Sequence, residues 1–172
     1  MRSFPRFFSL LFFVGLTACV APRVVPQNLA QLKTPDELGR AAQQMYAEAK
    51  AATEKKEKLR LASLGIAYSE KCLHGAPEHP SCLYFQTLSM GVYIRNHILN
   101  YQKGLRKMVA NCETLNRVQP EFEHAGCLRI LGNIYAQAPS FSISPKNISQ
   151  DLDRSVDYLQ QAVKLAPGYA LN

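Results

Sequence analysis

No pair of cysteines in this chain stands at C-x-x-C spacing, so the signature of a dithiol redox enzyme, or of a compact zinc site, is missing. There is no H-E-x-x-H, no glycine-rich phosphate loop and no serine elbow, which leaves metalloprotease, nucleotide hydrolase and serine hydrolase without a motif. No apolar run reaches the roughly 20 residues that a membrane-spanning helix needs. No sustained alternation of polar and apolar residues marks a strand. What remains is a chain of 172 residues, enough for one ordinary domain, with 20 basic and 13 acidic residues.

The first segment must be set aside before any fold is considered. Arg2 and Arg6 form a basic start, and Phe7 to Leu16 form a short apolar run of signal-peptide length. The run ends in Leu16-Thr17-Ala18-Cys19. This tetrad resembles the lipobox of bacterial lipoproteins: an apolar residue, two small residues and a cysteine. The resemblance implies cleavage before Cys19 and a diacylglycerol on its thiol; the competing reading is an ordinary secretory signal with a chance cysteine. Two or three acyl chains, at about 0.8 kcal/mol per buried methylene, make a stable anchor. Val20, rather than Asp, follows Cys19. By resemblance to the sorting rule of Gram-negative lipoproteins, this implies the periplasmic face of the outer membrane.

Three segments result: a signal peptide over 1–18, a lipidated tether over 19–33 and a helical domain over 34–172. Pro22 and Pro26 and a lack of periodicity make Val20 to Gln31 a partly extended tether. Processing removes Arg2 and Arg6 and no acid, so the formal charge falls from +7 to +5. Mild basicity suits solubility or anionic partners. The compartment argues against nucleic acid and leaves anionic lipid or glycan surfaces.

Four cysteines follow Cys19: Cys72, Cys82, Cys112 and Cys127. An even number in an oxidising compartment points to disulfides, and four cysteines allow three pairings. Cys72–Cys82 and Cys112–Cys127 are the expected pairs, because each flanks one predicted interhelical turn. A loop of this size is worth about 3 kcal/mol in the chain-entropy model. The rival is a zinc site helped by His74 and His79, which the spacing disfavours; no metal and no cofactor beyond the covalent lipid is expected.

The rest reads as helices. Thr34-Pro35-Asp36-Glu37 is a capping box with proline at the first helical position. Leu38, Ala41, Ala42, Met45, Ala49 and Ala52 then mark a buried face. The charged segment Glu54 to Lys58 is expected as a solvated turn or helix start. A second helix runs to about Cys72, before Gly75, Pro77 and Pro80 punctuate a turn. The third is expected over about 81–99, the fourth over 102–118, the fifth over 121–137. After a loop with Pro139 and Pro145, Ser149 is the expected cap of a sixth helix reaching about Ala166. Six helices with short turns predict an all-α protein of antiparallel hairpins, stacked as in a repeat. Gly91, Gly104, Ala125, Gly126 and Gly132 are the positions expected to let helices approach closely.

The end of the chain, Ala162-Val163-Lys164-Leu165-Ala166-Pro167-Gly168-Tyr169, resembles the end of a tetratricopeptide repeat, although the chain lacks the tryptophan of the repeat consensus. The block His124 to Pro139, with Arg129, Leu131, Gly132, Tyr135, Ala138 and Pro139, resembles the T component of tripartite ATP-independent periplasmic (TRAP) transporters. That resemblance covers about 68–172. It implies a lipoprotein of tetratricopeptide-like hairpins that docks a periplasmic solute-binding protein and holds a hydrophobic small ligand. Relatives continue into a further helix, so the last hairpin is expected to leave an apolar face that a second copy or a partner would cover.

The expected function is therefore binding or scaffolding on the outer membrane, not catalysis. Arg129, Asn133, Tyr135 and Gln137 are the candidate partner or ligand residues; the alternative places Tyr135 in the core and makes Arg129 a structural partner. An envelope assembly factor for a pilus or secretion channel is a second reading. An enzyme is the third: Glu121-Phe122-Glu123-His124 puts acids beside a histidine without a metal-binding spacing.

Overall fold

A computed structural model describes residues 26–97, 101–141 and 144–170. The signal segment, Cys19 and Val20 lie outside these residues, as do the expected end of the third helix and the last two residues. Six helices make up the described chain: α1 (Pro35–Ala51), α2 (Lys55–Gly75), α3 (Pro80–Asn96), α4 (Tyr101–Val118), α5 (Phe122–Gln137) and α6 (Leu152–Leu165). No strand occurs among the described residues. None of the described helices is long and apolar enough to cross a membrane.

Each helix packs on the next, and α1 also touches α3, as α3 touches α5. The odd-numbered helices thus form one layer of a stack of hairpins, the arrangement of a helical repeat. The main core joins Leu38 of α1, Leu64 and Tyr68 of α2, Leu83 and Phe85 of α3, Leu105 and Leu115 of α4, and Leu131 of α5.

Local chemistry fixes the ends. Thr34 Oγ1 accepts from the Glu37 amide at 3.2 Å, and Glu37 Oε2 accepts from the Thr34 amide at 2.9 Å. The Thr34 amide, with that of Lys33, holds the Glu37 carboxyl below its usual range. The charged stretch Glu54–Lys58 is the start of α2. The sixth helix starts later than Ser149: Asp151 caps it, accepting from the Arg154 amide at 2.9 Å. The reason lies at the end of α5, whose last carbonyls need donors. Tyr135 O takes the Asp151 amide at 2.9 Å, and Ala136 O takes Gln150 Nε2 at 2.9 Å. Gln150 and Asp151 are therefore spent on closing α5 before α6 can begin.

The start of α5 also departs from expectation. Glu123, His124 and Ala125 have φ of 51°, 56° and 60°. Three consecutive left-handed residues cost about 1–2 kcal/mol each. The regular right-handed helix follows this turn.

The second half of the expected tether is docked, not loose. Pro26 is buried, Tyr68 donates its hydroxyl hydrogen bond to Asn28, and Lys71 Nζ reaches the carbonyls of Leu29 at 2.5 Å and Leu32 at 2.7 Å. An ammonium group shared by two carbonyls ties residues 26–33 to α2.

Candidate functional site

The four late cysteines behave as two different pairs. Cys72, near the end of α2, and Cys82, in the first turn of α3, form a disulfide with Cα atoms 6.3 Å apart. Cys112 of α4 and Cys127 of α5 are free and buried, which corrects the second expected disulfide. Burial pushes the Cys112 thiol well up, and its hydrogen bond with Cys127 pushes it further. The two free thiols pack in the interior as small, largely apolar groups. Peptide mapping after alkylation without reductant is expected to label Cys112 and Cys127 in denaturant and neither in the brief native reaction. Protection of both in denaturant would restore the second disulfide.

The candidate residues of α5 divide. Tyr135 is 4% exposed and lies in the main core, which removes it from any binding surface. Its ring stacks on Tyr158 of α6, and the Arg154 guanidinium sits 4.3 Å from its centroid. Burial raises its hydroxyl pKa. Arg129 is half-buried and serves the left-handed turn: it donates to the carbonyls of His124 and Glu123 and lies 4.4 Å from the Tyr169 ring centroid. The His124 ring stacks on Tyr169 at 4.6 Å. The His124 ring and the carbonyls of Glu123 and His124 thus tie the turn to Arg129 and Tyr169.

Asn133 and Gln137 do meet a cavity. A groove of about 620 Å³ runs across the layer made by α1, α3 and α5. Tyr46 and Lys50 line it from α1, Leu88, Gly91 and Arg95 from α3, and Asn133 and Gln137 from α5. Met108 and Leu105 of α4 lie at its floor with Ile134. The volume falls in the range of small-ligand sites, and apolar walls with few polar groups are their usual lining. Lys50 and Arg95 are exposed and basic, and no acidic residue lines the groove among the described residues.

The glycines expected at helix contacts split accordingly. A Cβ at Gly104 would fall 2.5 Å from Ile94, at Gly126 2.6 Å from the Tyr84 ring and at Gly132 2.6 Å from Leu159. At Gly91 it would meet a single neighbour, the Met108 methyl at 3.4 Å. Gly91 therefore opens the groove instead of joining two helices. Compared with protein-family models and with curated proteins, the chain matches none of them.

Proposed function

We propose that this chain is a lipid-anchored, non-enzymatic binding protein of the bacterial envelope, whose groove across α1, α3 and α5 takes an apolar ligand carrying an anionic group. The groove carries this reading: an apolar floor buries the body of such a ligand, and Lys50 and Arg95 offer charge to its head. The lipobox-like tetrad ending at Cys19 supports the anchor, and Val20 supports the outer membrane, periplasmic face. The resemblance of His124 to Pro139 adds a docking partner, a TRAP-type periplasmic solute-binding protein.

Full-length protein extracted in detergent is the material for the test. It is expected to bind a fluorescent long-chain carboxylate more tightly than the alcohol of the same chain. Gly91→Leu fills the groove where space exists and is expected to weaken that binding by about tenfold or more, the equivalent of 1.4 kcal/mol, with the fold retained. Equal binding by Gly91→Leu, or no binding by the native protein, would defeat the groove assignment. In the same cells Cys19→Ala is expected to lose palmitate labelling and outer-membrane fractionation; unchanged labelling would refute the anchor.

A further inference from the structure

The disulfide Cys72–Cys82 has a third member. A ring nitrogen of His79 and the two sulfurs lie within 4.8 Å of one another, at the junction of α1, α2 and α3. His79 Nε2 is 3.1 Å from Asp36 Oδ1 in the first turn of α1. His79 Nδ1 is buried and has no hydrogen-bond partner among the described residues. A buried acceptor left without a donor costs free energy. Both sulfurs also lie close to the Pro35 carbonyl oxygen, at 3.7 Å for Cys72 and 3.6 Å for Cys82.

We infer that, in its dithiol form, this junction is a metal site for Zn²⁺ or a similarly thiophilic divalent ion, with Cys72 Sγ, Cys82 Sγ and His79 Nδ1 as ligands. The chemistry fits at each atom. Two thiolates and an imidazole are the donors that zinc prefers. The Asp36 carboxylate accepts a hydrogen bond from Nε2–H, which leaves the Nδ1 lone pair for the metal and fixes the ring. This carboxylate–histidine–metal relay is the common outer support of zinc-bound histidine. Three protein ligands leave a fourth position for water. The C-x9-C spacing conceals the site in the sequence, because the turn after α2 and the start of α3 bring the cysteines together.

Disulfide and metal exclude one another. A dithiol reductant, small molecule or oxidoreductase, exchanges with the Cys72–Cys82 bond; two electrons and two protons give two protein thiols, and the reductant leaves as its own disulfide. The ion then displaces both thiol protons and binds between the separated sulfurs. Either cross-link joins α2 to α3, so the hairpin junction stays tied in both redox states.

The test uses full-length protein in detergent carrying Cys112→Ala and Cys127→Ala, reduced with a phosphine that is then removed without oxygen. Cobalt(II) is expected to bind one per chain, with a sulfur-to-cobalt charge-transfer band and the visible bands of tetrahedral coordination, both abolished by added zinc. Asp36→Asn is expected to weaken binding about 10–100-fold, and His79→Gln to weaken it more and shift the visible bands. The oxidised protein is expected to show neither band. Circular dichroism separates a lost site from a lost fold. In the unsubstituted chain, reduced in the same way, zinc is expected to protect Cys72 and Cys82 from alkylation. A reduced, folded protein without cobalt bands, or unprotected cysteines in zinc, would overturn the proposal. Full-strength bands with unchanged affinity in His79→Gln would remove the histidine and overturn it equally.

Discussion

Leu131→Ala is expected to lower the free energy of unfolding by about 3 kcal/mol, inside the 2–5 kcal/mol that truncating a buried leucine costs. Leu131 is 0% exposed and sits in the main core cluster near the middle of α5. Its helix is held on two sides, by α4 and by α6. The cost of such a truncation depends on how far the surroundings can close over the missing atoms. Here they cannot close far. Gly132, the next residue, is already at the crossing with α6, and Cys127, one turn earlier, is fully packed. Urea unfolding followed by circular dichroism measures the effect through the midpoint at constant slope. A loss below about 1 kcal/mol would show that α5 can shift to fill the space, which the crossing at Gly132 forbids.

Gly132→Val is expected to cost about 3 kcal/mol as well, by overfilling. An added Cβ would lie 2.6 Å from Leu159 Cγ and 3.2 Å from the Ser155 carbonyl oxygen. Leu159 can rotate; the Ser155 carbonyl belongs to the α6 backbone and cannot yield alone. The same crossing carries a buried hydrogen bond, from Ser155 Oγ to the Gly132 carbonyl at 2.8 Å. Overpacking typically costs 1–3 kcal/mol, and lifting α6 adds the loss of that bond. The expected readout is local: α6 amides lose protection from hydrogen exchange, while those of α1 to α3 keep theirs. Gly91→Ala serves as the contrast. It places a single methyl in the open groove and is expected to be neutral or stabilising by up to about 1 kcal/mol, through helix propensity. Equal costs at the two glycines would contradict this division of their roles.

The helices themselves were legible in the sequence, because capping chemistry and 3.6-residue periodicity are local. Thr34 to Glu37 forms the capping box that its spacing requires. Boundaries set by distant partners were not legible. Ser149 looks like a cap, yet Tyr135 and Ala136 draw the following residues onto the end of α5 and leave the role to Asp151. The left-handed turn at Glu123–Ala125 has no glycine to announce it; Arg129 and Tyr169 hold it from later in the chain.

The candidate site was legible in part. Asn133 and Gln137 stand four apart and share a helix face, whereas Tyr135 lies between them and points elsewhere. That spacing alone argues against grouping all three. Leu88, Gly91 and Arg95 form a matching stripe on α3, which periodicity shows without revealing that α1 and α5 complete a groove around it. The cysteines show the same limit. Both expected pairs flank a turn and all four sulfurs are buried, yet only Cys72 and Cys82 are bridged, a difference that spacing does not report.

The docking of residues 26–33 sets a working radius. Had the whole segment after the proposed lipid site been free, the helical stack could have ranged widely over the membrane. Lys71 and Tyr68 take the later half out of play. Seven peptide units then separate Cys19 from Pro26, a leash of at most about 25 Å. On the proposed anchor, any partner or ligand of the groove must come to the membrane face, and a partner held much further away would stay out of range.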